Sequence, residues 1–495
     1  MKKNQNKYIC IHGHFYQPPR ENAWLEQIEV QDSAAPFHDW NERITEECYS
    51  PNTHARILDS QGRIIDISNN YERISFNYGP TLLSWMELHR PETYQSILDA
   101  DKKGQELFGG HGPAIAQVYN HTIMPLASRR DKETQIIWGL YDFEQRFKRK
   151  SEGIWLAEAA VDTETLECLA DHGVKYTILA PNQARRFKGL LDSQWTDGIE
   201  TNRPYIVKLS GNRQMVLFFY HGDISQGVAF KGLLNDGRKF AEELQTGLSA
   251  NPTRPELLHI ATDGESYGHH HRQGEMALAY CLQHIEEHTD AQLTNYGHFL
   301  SLVEPDHEVE IHEKSSWSCA HGVERWRSDC GCHTGGEEGW NQKWRAPLRD
   351  GLDELKVKLD ALYEKVLSGF HENPWDLRDR FIEVIFQSEL RDYKTFFKKH
   401  LPHITEKDQT LVIRMLEMQR NAMLMYTSCG WFFNEVSGIE TQQILQYADR
   451  AIQLAERESE LDLQSAFAET LAQGQSNIAE MGSIKDIYLN LVSPK

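Results

Sequence analysis

Apolar and polar positions alternate along the chain in two regimes. Through roughly the first 300 residues, short β-type runs trade with amphipathic stretches, the pattern of parallel strand-helix units with the helices outside. Seven runs read as central strands: 7–12, 73–77, 106–109, 153–157, 174–180, 215–220 and 257–262. Between them, segments 80–88, 128–147, 163–172, 237–246 and 274–287 repeat their apolar residues at the helical period. Seven such units predict an α/β fold closed, or nearly closed, into a barrel.

The second regime begins near Pro305. An irregular stretch, 315–344, is rich in Ser, Gly, Cys, His and Trp. From Ala346 onward the helical period takes over, with Leu348, Leu352, Leu355, Leu359 and Leu362 on one face, followed by helical segments at 381–397, 411–426 and 441–454. The expected domains are therefore a catalytic barrel over 1–312, an irregular segment over 313–345, and an α-helical bundle over 346–495 that completes the cleft.

Composition narrows the partners. The 495 residues carry 52 Lys and Arg against 73 Asp and Glu, a net charge of −21, which disfavours nucleic acid and anionic membrane surfaces as partners. The N-terminal residues are polar and lead into only a short apolar run, unlike a secretory signal, and no apolar run approaches the ~18 residues of a membrane span. Eight cysteines spread thinly over a long chain resemble reduced usage more than a disulfide framework. A cytoplasmic protein is expected.

Polar groups that chemistry can use cluster where strands end, the mouth of a parallel barrel. His12, His14 and Gln17 follow the first run; neutral imidazoles and an amide can hydrogen-bond sugar hydroxyls. His121 lies in a polar loop with Tyr119 and Asn120. Trp155 and Glu158 close the fourth run, placing an aromatic face beside a carboxylate able to attack an anomeric carbon. Asp263, Glu265, Tyr267 and His269 crowd the end of the seventh, with His270 and His271 beside them. If buried and near the charge of Glu158, Asp263 has the raised pKa a general acid needs; Glu265, two residues on in extended backbone, would point the same way. Two carboxylates remote in sequence at one rim suggest glycoside chemistry.

Elsewhere, Cys319, His321, Cys330, Cys332 and His333 are zinc-competent donors, but their spacing departs from the regular Cys-x2-Cys, and an ordered loop with buried thiols is the preferred reading. Trp317, with Trp326, Trp340 and Trp344, could cover a saccharide channel, and Trp431 sits in a Gly-broken polar stretch that either leans over the barrel or packs the bundle.

These motifs resemble, in order, the signature regions of glycoside hydrolase family 57: His12-Gly-His14 with Gln17-Pro18, Tyr119-Asn-His121 with Pro125, Trp155-Leu-Ala-Glu158, Asp263-Gly-Glu265, and more weakly Ser428-Cys-Gly-Trp431. The resemblance implies an incomplete (β/α)7 barrel with a helical bundle, α-glucan substrates, retention of configuration and no catalytic metal; no cofactor is expected. By motif position it makes Glu158 the nucleophile and Asp263 the acid/base. Phe15-Tyr16 between His14 and Gln17, and the Cys/His/Trp stretch, depart from the family pattern. The expected function is a retaining α-glucan hydrolase or transglycosylase taking oligo- or polysaccharides. The alternatives are a metal-dependent carbohydrate deacetylase, which chelator sensitivity would reveal, and a non-catalytic glucan-binding protein.

Overall fold

The structure, a computed structural model, describes residues 3–387 and 391–492. Its chain contacts divide it into two compact units: Met1–Gln17, Val30–Gln117 and Phe143–Glu313 form the first, and Pro18–Glu29, Val118–Asp142 and Lys314–Lys495 the second.

The first unit is α/β. Strand β1 (Lys7–Phe15) is buried along almost its whole length, as an apolar run with helices over both sheet faces must be. It pairs in parallel with β2 (Ser75–Tyr78) on one side and β7 (Glu256–Asp263) on the other. From β2 a parallel bridge, Phe76 to Ala114, leads to β3 (Ala116–Gln117), which pairs with β4 (Ile154–Trp155). A second bridge, Gly153 to Tyr176, leads to β5 (Tyr176–Leu179), and β5 pairs in parallel with β6 (Gln214–Phe219). Just past β6, the His221 backbone N–H donates to the His259 carbonyl on β7 at 2.8 Å. A short strand, Gln292–Leu293, also pairs with the start of β1.

Helices alternate with these strands: α1 (Pro80–His89) and α2 (Pro91–Leu107), then α3 (Arg129–Phe147), most of which belongs to the second unit, α4 (Thr163–Asp171), α5 (Gly222–Phe230), α6 (Gly237–Thr246) and α7 (Gly274–His288). Their starts follow local chemistry: the side chains of Asp162 and Asp236 accept backbone N–H bonds at the first turns of α4 and α6. Six of the seven expected strands overlap observed ones. The run 106–109 does not: Glu106 and Leu107 end α2, because Ile97, Ala100 and Gly104 continue a buried helical face, while Leu107 lies exposed. The third strand lies further on, at Ala116–Gln117.

The second unit is helical apart from isolated bridges. Its longest elements are α8 (Arg345–Leu367), α9 (Glu406–Leu424) and α10 (Ile439–Glu456). All five leucines assigned to one face of α8 are buried. The helix expected over 381–397 is broken into Ile382–Ile385 and Tyr393–His400; residues 388–390 of that stretch lie outside the described residues. Among the described residues no helix is long and apolar enough to cross a membrane.

Candidate functional site

Parallel pairing brings five strand ends of the first unit into one polar layer. In the β1–β7 register His14 stands opposite Asp263, and in the β1–β2 register it stands opposite Asn77. Asn77 Nδ2 donates to Gln117 Oε1 at 2.8 Å, and Gln117 pairs with Trp155 across β3 and β4. Because side chains two apart share a strand face, His12 and His14 both reach the Trp155 indole, each at 5.0 Å between ring centroids and stacked within about 20°.

Asn77 organises this layer. His12 Nε2 donates to its Oδ1 at 3.1 Å, and its Nδ2 donates to His14 Nδ1 at 2.9 Å. Ser75 Oγ meets His12 Nδ1 at 3.0 Å. Burial drives His12 down to about 3, so this imidazole is neutral at ordinary pH, with its proton on Nε2 by the network. His14, accepting at Nδ1, keeps Nε2 as a donor.

Two carboxylates and a third that tunes them complete the group. Glu158 follows β4 in a tight turn and holds left-handed backbone, φ 57° and ψ 23°, as does Ala159 at φ 49°. Neither is glycine, so the turn costs of order 1 kcal/mol or more per residue, the kind of strain that concentrates at functional positions. Asp263 ends β7, and its side chain is open to solvent yet closely surrounded by protein. Desolvation holds its pKa well above the ordinary carboxylate value, and the charges of Glu265 and then Glu158 raise it further. Burial lifts Glu265 to about 7, against the pull of Tyr49 Oη, which donates to its Oε1 at 2.5 Å, and of the Tyr16 backbone N–H at 3.0 Å. Gly264 between the two acids has no room for a side chain: a Cβ there would meet the Phe15 ring at 2.2 Å. Glu265 sits in a 3-10 turn, Gly264–Ser266, not in the extended backbone expected for it.

The remaining expected residues divide. Gln17 is half-buried and bonds Tyr49, and His269 pairs through Nδ1 with Glu47 and meets the Trp40 ring edge-on. Four expected sugar contacts are corrected: His12, Trp155, Tyr267 and Trp431 have no exposed surface, so in this structure they cannot touch a ligand directly. Tyr267 instead faces Thr262 Oγ1 at 3.3 Å inside the fold, and Trp431 lies under the Arg349 guanidinium. His121, Trp317 and Trp431 belong to the second unit, where His121 Nδ1 meets Ser428 Oγ at 2.6 Å. Burial lowers His121 to about 3. Among the described residues one group of metal-competent donors gathers, Cys319, His321, Cys330 and Cys332, also in the second unit; His333 instead faces the Gly335 carbonyl.

Sequence reasoning missed Asn77, Gln117, Tyr49 and Tyr220, the last close enough to Asp263 to feel its charge. Asn77 was legible as a polar residue closing a strand, the same signal that singled out Glu158. Gln117 was lost with the misplaced third strand, and nothing local marks Tyr49.

The family model described as glycosyl hydrolase family 57 matches residues 4–312, and one described as a domain of unknown function, DUF3536, matches residues 340–495. No curated protein matches the chain by sequence. Among solved structures, an exo-type maltose-forming amylase from Pyrococcus sp. ST04 is similar with a TM-score of 0.71 at 15% identity, over 94% of this chain and 83% of that one. A GH57-type branching enzyme from Pyrococcus horikoshii gives 0.54 at 13%, over 98% and 94%, and the α-amylase AmyC from Thermotoga maritima 0.55 at 14%, over 98% and 99%. At these identities the likeness concerns the fold.

Proposed function

Since this chain belongs to glycosyl hydrolase family 57, we propose that it is a retaining α-glucan hydrolase or transglycosylase acting through a covalent glycosyl-enzyme ester, with Glu158 as nucleophile and Asp263 as general acid/base. The observation that carries the assignment is electrostatic: burial, then the charge of Glu265 and then that of Glu158, raise the Asp263 pKa well above the ordinary carboxylate value. An acid must hold its proton where the nucleophile is ionised, and environments that push two carboxyls apart in pKa define those roles.

In the first step Glu158 attacks the anomeric carbon while Asp263 gives its proton to the departing glycosidic oxygen; the C–O bond to the leaving sugar breaks and an ester to Glu158 forms. In the second, ionised Asp263 takes a proton from water or from a sugar hydroxyl, whose oxygen attacks the same carbon and releases Glu158. Two inversions give net retention. His14, with Nε2 as donor, is suited to a sugar hydroxyl, and Asn77 and the buried Trp155 fix its ring. The path of parallel pairing from β7 through β1 to β6 is read as the incomplete (β/α)7 barrel, residues 1–312 as the catalytic domain, 313–345 as its irregular extension and 346–495 as the helical bundle. Thin cysteine usage with free thiols fits a cytoplasmic setting.

Incubation with maltoheptaose and amylose, with products resolved by size and branching, tests the reading. Shorter sugars mark hydrolysis, a ladder of longer ones transfer, and new branch points a branching enzyme; no change in either substrate over long incubation overturns it.

A further inference from the structure

The irregular segment between the two regimes of the chain is drawn together at one point. Cys319, His321, Cys330 and Cys332 place one ligand atom each so that all four lie within 4.8 Å of one another. Cys319 Sγ to Cys330 Sγ is 3.9 Å, and Cys332 Sγ to His321 Nδ1 is 3.6 Å. With Zn–S near 2.3 Å and Zn–N near 2.0–2.1 Å, a tetrahedral zinc would set these edges at about 3.8 and 3.6 Å. The sulfurs are not within bonding distance of each other as a disulfide.

Backbone donors aim at the sulfurs. The Cys332 backbone N–H points at Cys330 Sγ at 3.4 Å, and backbone N–H groups of His321 and Arg325 point at Cys319. Gly331 between the two paired cysteines takes φ +82°, the left-handed turn that lets Cys330 and Cys332 face one centre. Arg345 is fully buried, with Nη1 3.8 Å from Cys330 Sγ and 2.9 Å from the Cys332 carbonyl it donates to. Three thiolates around a divalent ion leave one negative charge, and a buried guanidinium beside them offsets it. Without a metal, that arginine would be a buried cation beside three thiols.

We propose that Cys319, His321, Cys330 and Cys332 form a structural zinc site that staples the segment 315–344. All four tetrahedral positions are filled by protein, which marks a structural site and leaves none open for substrate. A site closed in this way takes no part in the chemistry of the carboxylate pair; it ties together ligands spread over fourteen positions of irregular chain, adding to contacts such as those of Arg325 with the Ser318 and Phe432 carbonyls.

Metal analysis of the full-length reduced protein tests this. The expected result is one zinc per chain; Cys330→Ser and Cys332→Ser, which each remove a ligand, should be isolated with clearly less than one, while His321→Cys, which keeps four donors, retains it. Cobalt(II) added to chelator-stripped wild-type protein should give the intense ligand-field and thiolate charge-transfer bands of a tetrahedral site, and stripping should open 315–344 to protease. Glu158→Gln should keep its zinc whatever its activity, which separates this site from the proposed chemistry. Failure of the reduced wild-type protein to take up either zinc or cobalt stoichiometrically, or zinc content unchanged in both serine variants, would overturn the assignment.

Discussion

Asp263 and Glu158 are linked through charge: burial, the charge of Glu265 and then that of Glu158 hold the Asp263 carboxyl well above its ordinary pKa. One residue closes β4 and the other closes β7, so only the parallel pairing of the first unit brings them within electrostatic range.

Asp263→Asn should lower kcat on maltooligosaccharides by about 10²–10⁴-fold, the range of a lost general acid. The pre-steady-state release of fluoride from maltosyl fluoride, whose leaving group needs no proton, reports glycosylation alone and should fall far less. Glu158→Gln should lose turnover on both substrates. Glycosylation equally impaired on both substrates in Asp263→Asn would remove it from the acid role.

Glu265 sets where the alkaline limb of activity lies. Its negative charge is the second-largest influence keeping Asp263 protonated, so Glu265→Gln should lower the Asp263 pKa and move the alkaline limb of kcat/KM to lower pH. Tyr49→Phe, which removes a donor from Glu265 and so favours its neutral form, should move the limb in the same direction. Full pH profiles of the two variants against wild type provide the check.

The same residue costs stability. Glu265 titrates at about 7 when folded against an ordinary value of 4.5, so the folded state holds a proton the unfolded state releases; the native state is favoured below pH 4.5 and loses that advantage as pH rises through 7. Glu265→Gln should therefore be stabilising at pH 8, by about 3 kcal/mol at most, and should show no such gain below pH 4. Urea unfolding at both pH values measures it.

Asn77→Ala removes hydrogen bonds to His12, His14 and Gln117 in one change and leaves buried polar groups unpaired. Destabilisation of about 3 kcal/mol is expected, with a rise in KM as His14 loses its fixed ring orientation. Unchanged stability would mean that the network is not what positions these imidazoles.

Much of the candidate site was legible because it obeys one rule: in parallel α/β units, polar residues at strand C-terminal ends gather at one face. That rule, together with the family resemblance, singled out His14, Glu158 and Asp263. It failed at Gln117, because a two-residue strand carries too little apolar pattern to be seen and Glu106–Gly109 borrowed its place. It could not separate exposed from buried members either: His12 and Trp155 share the strand-end signature, yet stacking hides both, and burial depends on partners that approach from other strands. Tyr49 enters through a π-helical turn, Thr45–Tyr49, that no periodicity announces. The helical half was legible in α8, whose leucines keep a strict face, and less so around Phe381, where the pattern continues but the helix breaks.

The central claim is tested most directly by trapping the intermediate. Incubation with a 2-deoxy-2-fluoro-maltosyl fluoride, which slows both steps but leaves a good leaving group, followed by mass spectrometry of proteolytic peptides, should find the sugar esterified to Glu158, and NMR of early products from natural substrate should show the α-anomer first. An adduct on a different carboxyl, or β-anomer formed first, would contradict the account.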